Sequence, residues 1–400
     1  MYKEKLKNGF LLTLSSIIIG MICGVGGSLF HISTEVAGDI RINNSWLINL
    51  LPIVGLVIVW LYKLCKIPPD TGSQPVFVAA RSGEKVNPLL TVCIFFSTCI
   101  THMFGGSTGR EGAALQFGGT LGSITGQVMI FDLIKNRVAV LCGMAAGFTS
   151  MFGTPITSVI FVFEATDIAL SRFYTMDFLY VTISVLISFA ISLLFGVCKM
   201  KFNVPELHFD LKSIIATALI AIACAIIAVV FIQSKKVLKK YASKYIPNAY
   251  LRVLIGGVIV VILSTIWNSG DYNGVGGNVI AEAMNGNVKA EAFILKLIFT
   301  VISLSFGYKG GELVPIFFIG ATLGGLLGGI LGVSVAVGAA IGLVCIFSAS
   351  TDCPISAIVL GVEIFGYHLI PFFILTCIIS YFSSGNIDFY DKYKFKTEGI

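Results

Sequence analysis

The apolar chain is interrupted by a charged, glycine-rich turn, Gly105-Gly106-Ser107-Thr108-Gly109-Arg110-Glu111-Gly112. Apolar runs at residues 89–104 and 113–130 flank this turn on either side. A carboxylate at membrane depth costs several kcal/mol, so such residues usually line a pathway or meet a partner. Glycine leaves backbone N–H groups accessible, and Glu111 begins the next predicted helix, where the helix dipole favours negative charge. Two interpretations follow: a tight turn closed by a local Arg110–Glu111 pair, or an anion site whose resident carboxylate is displaced by a diffusing anion.

The composition is that of a polytopic membrane protein. Of 400 residues, 56% are hydrophobic and only 12% are charged, whereas charge makes up about a quarter of a typical soluble domain. The net charge of +6 belongs to loops and tails, and it therefore indicates topology and contact with the lipid bilayer rather than nucleic-acid binding. Most of the ten cysteines lie in apolar runs, where reduced cysteine is a small hydrophobe. Neither a metal site nor a cofactor is expected.

The distribution of charge predicts how the chain crosses the membrane. Three lysines precede a first span at residues 10–30, which places the N-terminus in the cytoplasm. An outer loop is predicted at 31–44 and a returning span at 46–64. The segment that ends at Ala80 has roughly 9 residues, too few to cross ~30 Å of hydrocarbon, and is predicted to be re-entrant. We expect an integral protein of the plasma (inner) membrane with both termini cytoplasmic.

The two halves of the chain repeat the same landmarks in the same order. This predicts a first membrane repeat at residues 1–205, a second at 206–383, and a cytoplasmic tail at 384–400 with no regulatory domain. The landmarks recur 201 residues apart for Glu111 with Glu312 and Gly119 with Gly320, and 199 apart for Pro155 with Pro354 and Glu164 with Glu363. Because Glu164 and Glu363 share a repeat position, we expect them to have a structural role at a helix end.

The loop charges predict that the second repeat is inverted. The loop after the first span of the first half is slightly acidic, whereas the corresponding loop of the second half, residues 234–248, carries five lysines and no acid. By the positive-inside rule these loops lie on opposite faces of the membrane. Inverted repeats place the substrate site near the midplane, where broken helices point their N-terminal ends at an anion. The predicted fold is an all-α inverted repeat of broken and re-entrant helices.

Three motifs resemble those of the CLC family of chloride channels and anion–proton antiporters. The stretch Gly109-Arg110-Glu111-Gly112, with Gln116, is similar to its G-R-E-G-P motif. Gly311-Glu312-Leu313-Val314-Pro315 is similar to G-x-F-x-P, and Gly72-Ser73-Gln74-Pro75 to a degenerate G-S-G-I-P. The resemblance covers about residues 10–390 and implies a CLC-like fold and a homodimer with one anion pore per subunit. It also implies that Glu111 is the gating glutamate.

The same resemblance implies a set of anion-binding residues. These are Gly109, Arg110, Gly112, Ser73, Gln74, Phe77, Leu313, Val314 and, as a pore tyrosine, Tyr390. Either Ser73 or Gln74 takes the central anion position. The alternative for Phe77 is packing in the core.

Departures from the family motifs point to its fluoride-transporting branch. Gly310-Gly311-Glu312 resembles the G-G-E of that branch, although Val314 stands where the branch has threonine. The resemblance implies that the position of the inner proton-transfer glutamate of chloride–proton exchangers is occupied here by Ala165, so that glutamate is absent. Glu312 is therefore a candidate second carboxylate for proton or anion handling, and its alternative is a capping glutamate satisfied by Lys309.

The predicted function is transport of a halide anion, fluoride or chloride, coupled to proton counter-movement through Glu111 and Glu312. A passive chloride channel, voltage-gated or not, is the alternative. An intramembrane enzyme is a remote one, because the four histidines form no H-E-x-x-H motif and no G-x-S-x-G elbow lies at a span end. The choice between the two anions, and between channel and exchanger, stays open at this point.

Overall fold

The computed structural model describes residues 2–167, 176–197, 200–267 and 270–385. Over these residues it is helical, without β-strands apart from one isolated bridge. The first half contributes α1 (Tyr2–Asn43), α2 (Leu51–Leu64), α3 (Gln74–Ser82), α4 (Leu89–Met103), α5 (Glu111–Val128), α6 (Leu133–Phe152), α7 (Pro155–Ala165) and α8 (Met176–Leu194). The second contributes α9 (Leu211–Tyr245), α10 (Ala249–Trp267), α11 (Gly277–Met284), α12 (Ala292–Phe306), α13 (Leu313–Ile330), α14 (Val335–Thr351), α15 (Pro354–Phe365) and α16 (Ile370–Ser384). Tyr390 lies outside the described residues.

Several helices are long and apolar enough to cross a membrane. Within the described part of the chain there are seven: Asn8–Asn43, Ser45–Leu64, Met176–Leu194, Leu211–Tyr245, Ala249–Trp267, Leu313–Ile330 and Tyr367–Ser384. The two short segments, α3 with 9 residues and α11 with 8, cannot span the bilayer. This is the predicted pattern of spanning and re-entrant helices in an integral membrane protein.

Two predicted loops are in fact helical. Residues 31–43 continue α1, and most of the lysine-rich segment 234–248 continues α9 as far as Tyr245. Lysine and glutamate are good helix formers, so a helix that has already begun propagates through them into the aqueous phase. With 35 residues, α9 is about 50 Å long, well beyond the ~30 Å hydrocarbon layer.

The core contains two equivalent helix pairs, α5 with α6 and α13 with α14. Small residues line both contacts, so that a methyl group on Gly118 would overlap the Gly143 carbonyl and one on Gly324 would overlap that of Gly338. In membranes such contacts replace the hydrophobic driving force, because close approach of the backbones increases van der Waals packing. These buried pairs form a rigid frame for the chain breaks that precede α5 and α13.

The contacts between the halves confirm the inverted repeat. Equivalent helices touch each other across the halves: α2 with α10, α5 with α13 and α7 with α15. The Glu164 carboxylate, at the end of α7, accepts from the N–H groups of Ile355 and Ser356, which begin α15. Glu363, at the end of α15, accepts from the first N–H groups of α7 in the same way. Reciprocal caps require antiparallel helices, so the predicted structural role of both glutamates is confirmed. The repeat boundary at 205/206 stays a prediction.

Candidate anion site at two paired helix N-termini

The two charged glycine turns pair with each other through their backbones. The Gly109 N–H donates to the Gly311 carbonyl at 2.6 Å, and the Gly311 N–H donates back to Gly109, which forms an antiparallel bridge. A Cβ atom on Gly311 would lie 2.9 Å from the Gly112 Cα. Gly310 has φ 155°, a conformation that L side chains rarely adopt. Glycine is required in both motifs because two backbones cross here without room for side chains.

This bridge joins the N-terminal ends of two buried helices. Helix α5 begins at Glu111, and α13 begins at Leu313 with Glu312 at its N-cap position. Leu313 and Val314 form the buried first turn of α13. The first N–H groups of a helix have no partner within the helix, and together with the dipole they favour an anion. The structure thus brings Gly109, Gly112, Leu313 and Val314 together, as predicted.

Glu111 is held in a local pair with Arg110. Its side chain is only 2% exposed, and its carboxylate accepts a hydrogen bond from the Arg110 N–H at 3.1 Å and lies 3.5 Å from the Arg110 Nε. The Arg110 guanidinium also lies 3.3 Å from the Glu35 carboxylate of α1 and contacts the Thr34 hydroxyl at 3.4 Å. The contact between Arg110 and Glu111 is the local pair of the first interpretation of the turn. The gating role of Glu111 stays a prediction.

A cavity of about 830 Å³ leads from the end of α1 to this arginine. Arg110, Arg41 and Glu35 line it, as does the glycine-rich loop that precedes α11. Glu111 lies behind Arg110, away from the lining. His102, also at the wall, is 1% exposed and contacts the Thr108 carbonyl at 3.2 Å, so it is a hydrogen-bonded core residue.

Glu312 forms an ion pair with Lys235 of α9, and its side chain is 25% exposed. It makes no capping hydrogen bond to α13. Lys309 instead donates to the carbonyls of Pro69 at 2.6 Å and Thr71 at 2.9 Å. The predicted alternative, a cap satisfied by Lys309, is therefore wrong. A contact with Lys235, 77 residues away in sequence, arises from the packing of α9 against α13.

Lys309 brings the third motif to the same region. By holding the carbonyls of Pro69 and Thr71, it fixes the turn that enters α3 against the turn that precedes Glu312. Ser73 is half-buried and Gln74 exposed at the start of α3, and the anion contact of one or the other stays a prediction. Phe77 is 2% exposed and so lies in the packed core, and its pore role stays a prediction.

The two carboxylates lie towards opposite faces of the molecule. Glu111 is connected through Arg110 to Glu35 near the end of α1, and Glu312 to Lys235 near the end of α9. Since α1 and α9 are equivalent helices of inverted halves, their C-terminal ends lie on opposite faces, which we call the α1 face and the α9 face. The Gly109–Gly311 bridge lies between the two carboxylates.

Two lysines near the site were not predicted as site residues from the sequence. Lys235 counted only as one of five loop lysines, although it directly follows the apolar part of α9. Lys296 lies within the apolar run of α12, is fully buried, and donates to the carbonyls of Tyr272 at 3.2 Å and Gly274 at 2.6 Å. An ionisable residue within a span is a functional candidate by default, so for Lys296 the signal was present.

Comparisons with known proteins give this geometry a context. A chloride/fluoride channel protein of Pseudomonas syringae pv. tomato is 29% identical over 384 residues, which cover 93% of this chain and 84% of that protein. The crystal structure of a CLC-type fluoride/proton antiporter superposes with a TM-score of 0.90 at 28% identity, over 96% of this chain and 97% of that one. A slow cyanobacterial Cl⁻/H⁺ antiporter has the same fold, with a TM-score of 0.82 at 18% identity over 97% of this chain and 98% of its own.

The family model described as voltage gated chloride channel matches residues 54–385. This match covers both charged turns and all helices from α3 to α16. It confirms the resemblance on which the site residues were predicted, and the chain belongs to the voltage-gated chloride channel, or CLC, family.

Proposed function

We propose that the protein exchanges a halide anion for protons, with Glu111 as the gate and Glu312 as a second protonatable group. Members of the family are channels or transporters, not enzymes. The observation that carries the proposal is the arrangement around the Gly109–Gly311 bridge: two helix N-termini meet there, with one carboxylate towards each face.

The anion part of the proposal rests on the N–H groups of the two first turns, which have no acceptor within their own helices. An anion between them replaces part of its hydration shell with backbone donors. Glu111 already presents a carboxylate to the start of α5, where its charge occupies the place of a transported anion. When Glu111 is protonated and neutral, that electrostatic competition ends and an anion can enter.

The proton part rests on which acidic groups are available. Position 165 is alanine, and the neighbouring Glu164 carboxylate accepts two backbone N–H groups and the Ser356 hydroxyl at the start of α15. That carboxylate is therefore committed to the helix pair. Glu312, a quarter exposed towards the α9 face, remains as a group that can exchange a proton with water on that side.

Two relatives support fluoride as the transported halide. One bears the name chloride/fluoride channel protein, and the other is a fluoride/proton antiporter. Fluoride is small and strongly hydrated, so its site must supply many donors. Val314 supplies no hydroxyl, which leaves the donors of the α13 turn to the backbone.

Flux from proteoliposomes tests both parts. Vesicles loaded with fluoride or with chloride are diluted into halide-free medium while external halide and pH are recorded together. We expect the unchanged protein to move protons against the anion, and Glu111→Gln to abolish proton movement because an amide does not titrate. Its anion flux becomes passive or stops. Glu206→Gln, at an exposed position, is the matched control and should behave as the unchanged chain.

Proton-coupled exchange that persists in Glu111→Gln would defeat the mechanism. Passive anion flux in the unchanged protein would show a channel instead. Equal rates for both halides would contradict fluoride selectivity.

We also infer the orientation and the assembly. The lysine-rich end of α9 and the basic N-terminal segment support an orientation in which the α9 face is on the cytoplasmic side of the plasma membrane. A homodimer is typical of the family. Light scattering of the purified protein should give twice the chain mass, and cysteines introduced at Lys240 and Asp39 should react from opposite sides of intact cells.

A further inference from the structure

The cavity on the α1 face contains an arginine that no acidic group neutralises. Within the described ranges Arg41 forms no ion pair, and its buried Nε has no hydrogen-bond partner. The other arginine of the lining, Arg110, pairs with both Glu35 and Glu111. A guanidinium stays protonated, and its charge is costly to remove from water without a partner. Arg41 therefore needs an anion, and the described part of the chain does not supply one.

Arg41 lies between the charged glycine turn and the loop that leads into α11. A Cβ atom on Gly105 would lie 3.5 Å from the Arg41 Cδ, and one on Gly274 would lie 3.5 Å from its Nη2. The two segments are held together, because the Asn273 side chain donates to the Gly105 carbonyl at 3.0 Å. Lys296 also donates to the Gly274 carbonyl, at 2.6 Å. The guanidinium is therefore placed against a fixed loop in the wall of the cavity.

The same wall contains the N-terminal end of α11. Gly276, Gly277, Asn278 and Val279 line the cavity, and a Cβ atom on Gly277 would meet nothing within 4 Å. The first N–H groups of a helix have no acceptor within it, and together with the helix dipole they favour an anion. Arg41 and the start of α11 thus present positive charge to the same cavity.

The carboxylates of the lining are engaged elsewhere or lie in water. Glu35 pairs with Arg110 at 3.3 Å, and Asp271 pairs with Lys289 at 2.6 Å. Asp39 is exposed. Because none of the three forms an ion pair with the arginine of this wall, its positive charge is available to an anion from solution.

We propose that the cavity binds one halide anion between the Arg41 guanidinium and the first turn of α11, at a site separate from the Gly109–Gly311 bridge. The identity of the anion and its onward path rest on the proposed function. The halide enters from water on the α1 face and exchanges part of its hydration shell for guanidinium and backbone N–H donors. It then passes Arg110 on its way to the bridge. Only hydrogen bonds and ion contacts change in this step.

The size of the cavity fits this role. One water takes about 30 Å³ of liquid volume, so a cavity of about 830 Å³ has space for a halide with much of its hydration shell. A positively charged wall raises the local concentration of anions. The site therefore collects halide at the α1 face before the narrow crossing of the two glycine turns.

Arg41→Gln removes the charge of the site, and Arg41→Lys keeps it. Lys212→Gln, at an exposed position at the start of α9, removes one positive charge from the same face and is the matched control. Titration calorimetry of the purified protein with sodium fluoride or sodium chloride measures binding. Arg41→Gln should weaken one halide-binding step by roughly 10- to 150-fold, as expected for loss of a hydrogen bond to a charged group. Arg41→Lys should weaken it less, and Lys212→Gln should match the unchanged protein.

Transport gives a second readout of the same variants. In proteoliposomes with the halide varied on the α1 face, Arg41→Gln should raise the KM for halide by a similar factor. The number of protons moved per anion should not change, because Arg41 exchanges no proton.

The opposite side of the site is tested at Gly277. Gly277→Asp places a tethered carboxylate where the halide would lie, whereas Gly277→Asn adds a side chain of nearly the same size without the charge. The Asp variant should therefore bind halide more weakly than the Asn variant, by a factor similar to that of Arg41→Gln.

A folded Arg41→Gln protein with the halide affinity and KM of the unchanged protein would overturn the inference. If Arg41→Gln does not fold, the two Gly277 variants provide the test, and equal halide affinity of the pair would overturn it. Weakened halide binding in Arg41→Gln together with persistent proton coupling in Glu111→Gln would keep the site and remove the proposed gate. Unchanged binding in Arg41→Gln together with lost coupling in Glu111→Gln would remove only the site.

Discussion

The reciprocal caps between α7 and α15 give a quantitative prediction. One Glu363 oxygen accepts from the Ile156 N–H at 3.0 Å, and the other accepts from the N–H and the hydroxyl of Thr157 at 2.8 and 2.6 Å. Glu363→Gln keeps the length of the side chain but replaces one acceptor oxygen with an NH₂ group. That NH₂ group must then face a donor, whichever way the amide is turned.

The cost follows from the number of bonds lost. The remaining amide oxygen can serve Thr157, so the bond to Ile156 disappears, and a hydrogen bond to a charged group contributes about 1.5–3 kcal/mol. The bonds that remain are between neutral groups and are about half as strong. Loss of negative charge at the start of α7 adds about 0.3–1 kcal/mol. We expect Glu363→Gln to reduce the free energy of unfolding by about 2–4 kcal/mol.

Unfolding of the purified protein by a graded change in detergent, followed by circular dichroism, measures this cost. Glu206→Gln, which is exposed, is the control. Glu164→Gln should cost about the same because its contacts mirror those of Glu363. The number of protons moved per anion should not change, since neither glutamate is assigned to the pathway. A loss below about 0.5 kcal/mol, the usual range for surface substitutions, would refute the reasoning.

Further predictions concern the backbone crossing and a helix cap. Gly311→Ala should abolish transport, because its Cβ would lie 2.9 Å from the Gly112 Cα. Gly38→Ala is the control and should retain wild-type flux, because nothing lies within 4 Å of the added Cβ. A Gly311→Ala protein that still transports would contradict the close crossing of the two backbones. Asp132→Ala should reduce the free energy of unfolding by about 1 kcal/mol, because its side chain accepts the Lys135 N–H at 2.9 Å. That backbone hydrogen bond holds the pKa of Asp132 below its usual value, so the stabilisation is present above the unfolded pKa of about 3.9 and is lost as pH falls through the folded pKa. When unfolding is measured at a series of falling pH values, the difference in stability between the two proteins should shrink at the acidic end.

The sequence alone was sufficient for the class of fold. Low charge and span-length apolar runs exclude a soluble domain, because the cost of charges in hydrocarbon acts on each segment separately. The five lysines after residue 233 predicted the inversion of the second half. This was possible because the positive-inside rule depends only on the local charge of short loops. Glu164 and Glu363 occupy equivalent positions in the two repeats, and this spacing correctly predicted that both have a structural role at a helix end.

The ends of α1 and α9 could not be predicted from hydropathy. Polar residues mark where the hydrocarbon layer stops, but a helix needs only favourable propensity to continue into water. The segments 31–43 and 234–245 accordingly extend the two helices instead of forming loops. This extension carries Lys235 in a rigid helix beside α13.

What the tertiary structure decided is which charges meet. Sequence proximity suggested Lys309 as the partner of Glu312, yet the ion pair is with Lys235, 77 residues away. Proximity did hold for Arg110 and Glu111, which are adjacent. The two glycine motifs were each recognisable in the sequence, but their bridge joins Gly109 to Gly311 only because inverted halves bring equivalent turns together at their common axis. Local composition determines which segments enter the membrane, whereas long-range pairing depends on packing between helices that no local pattern encodes.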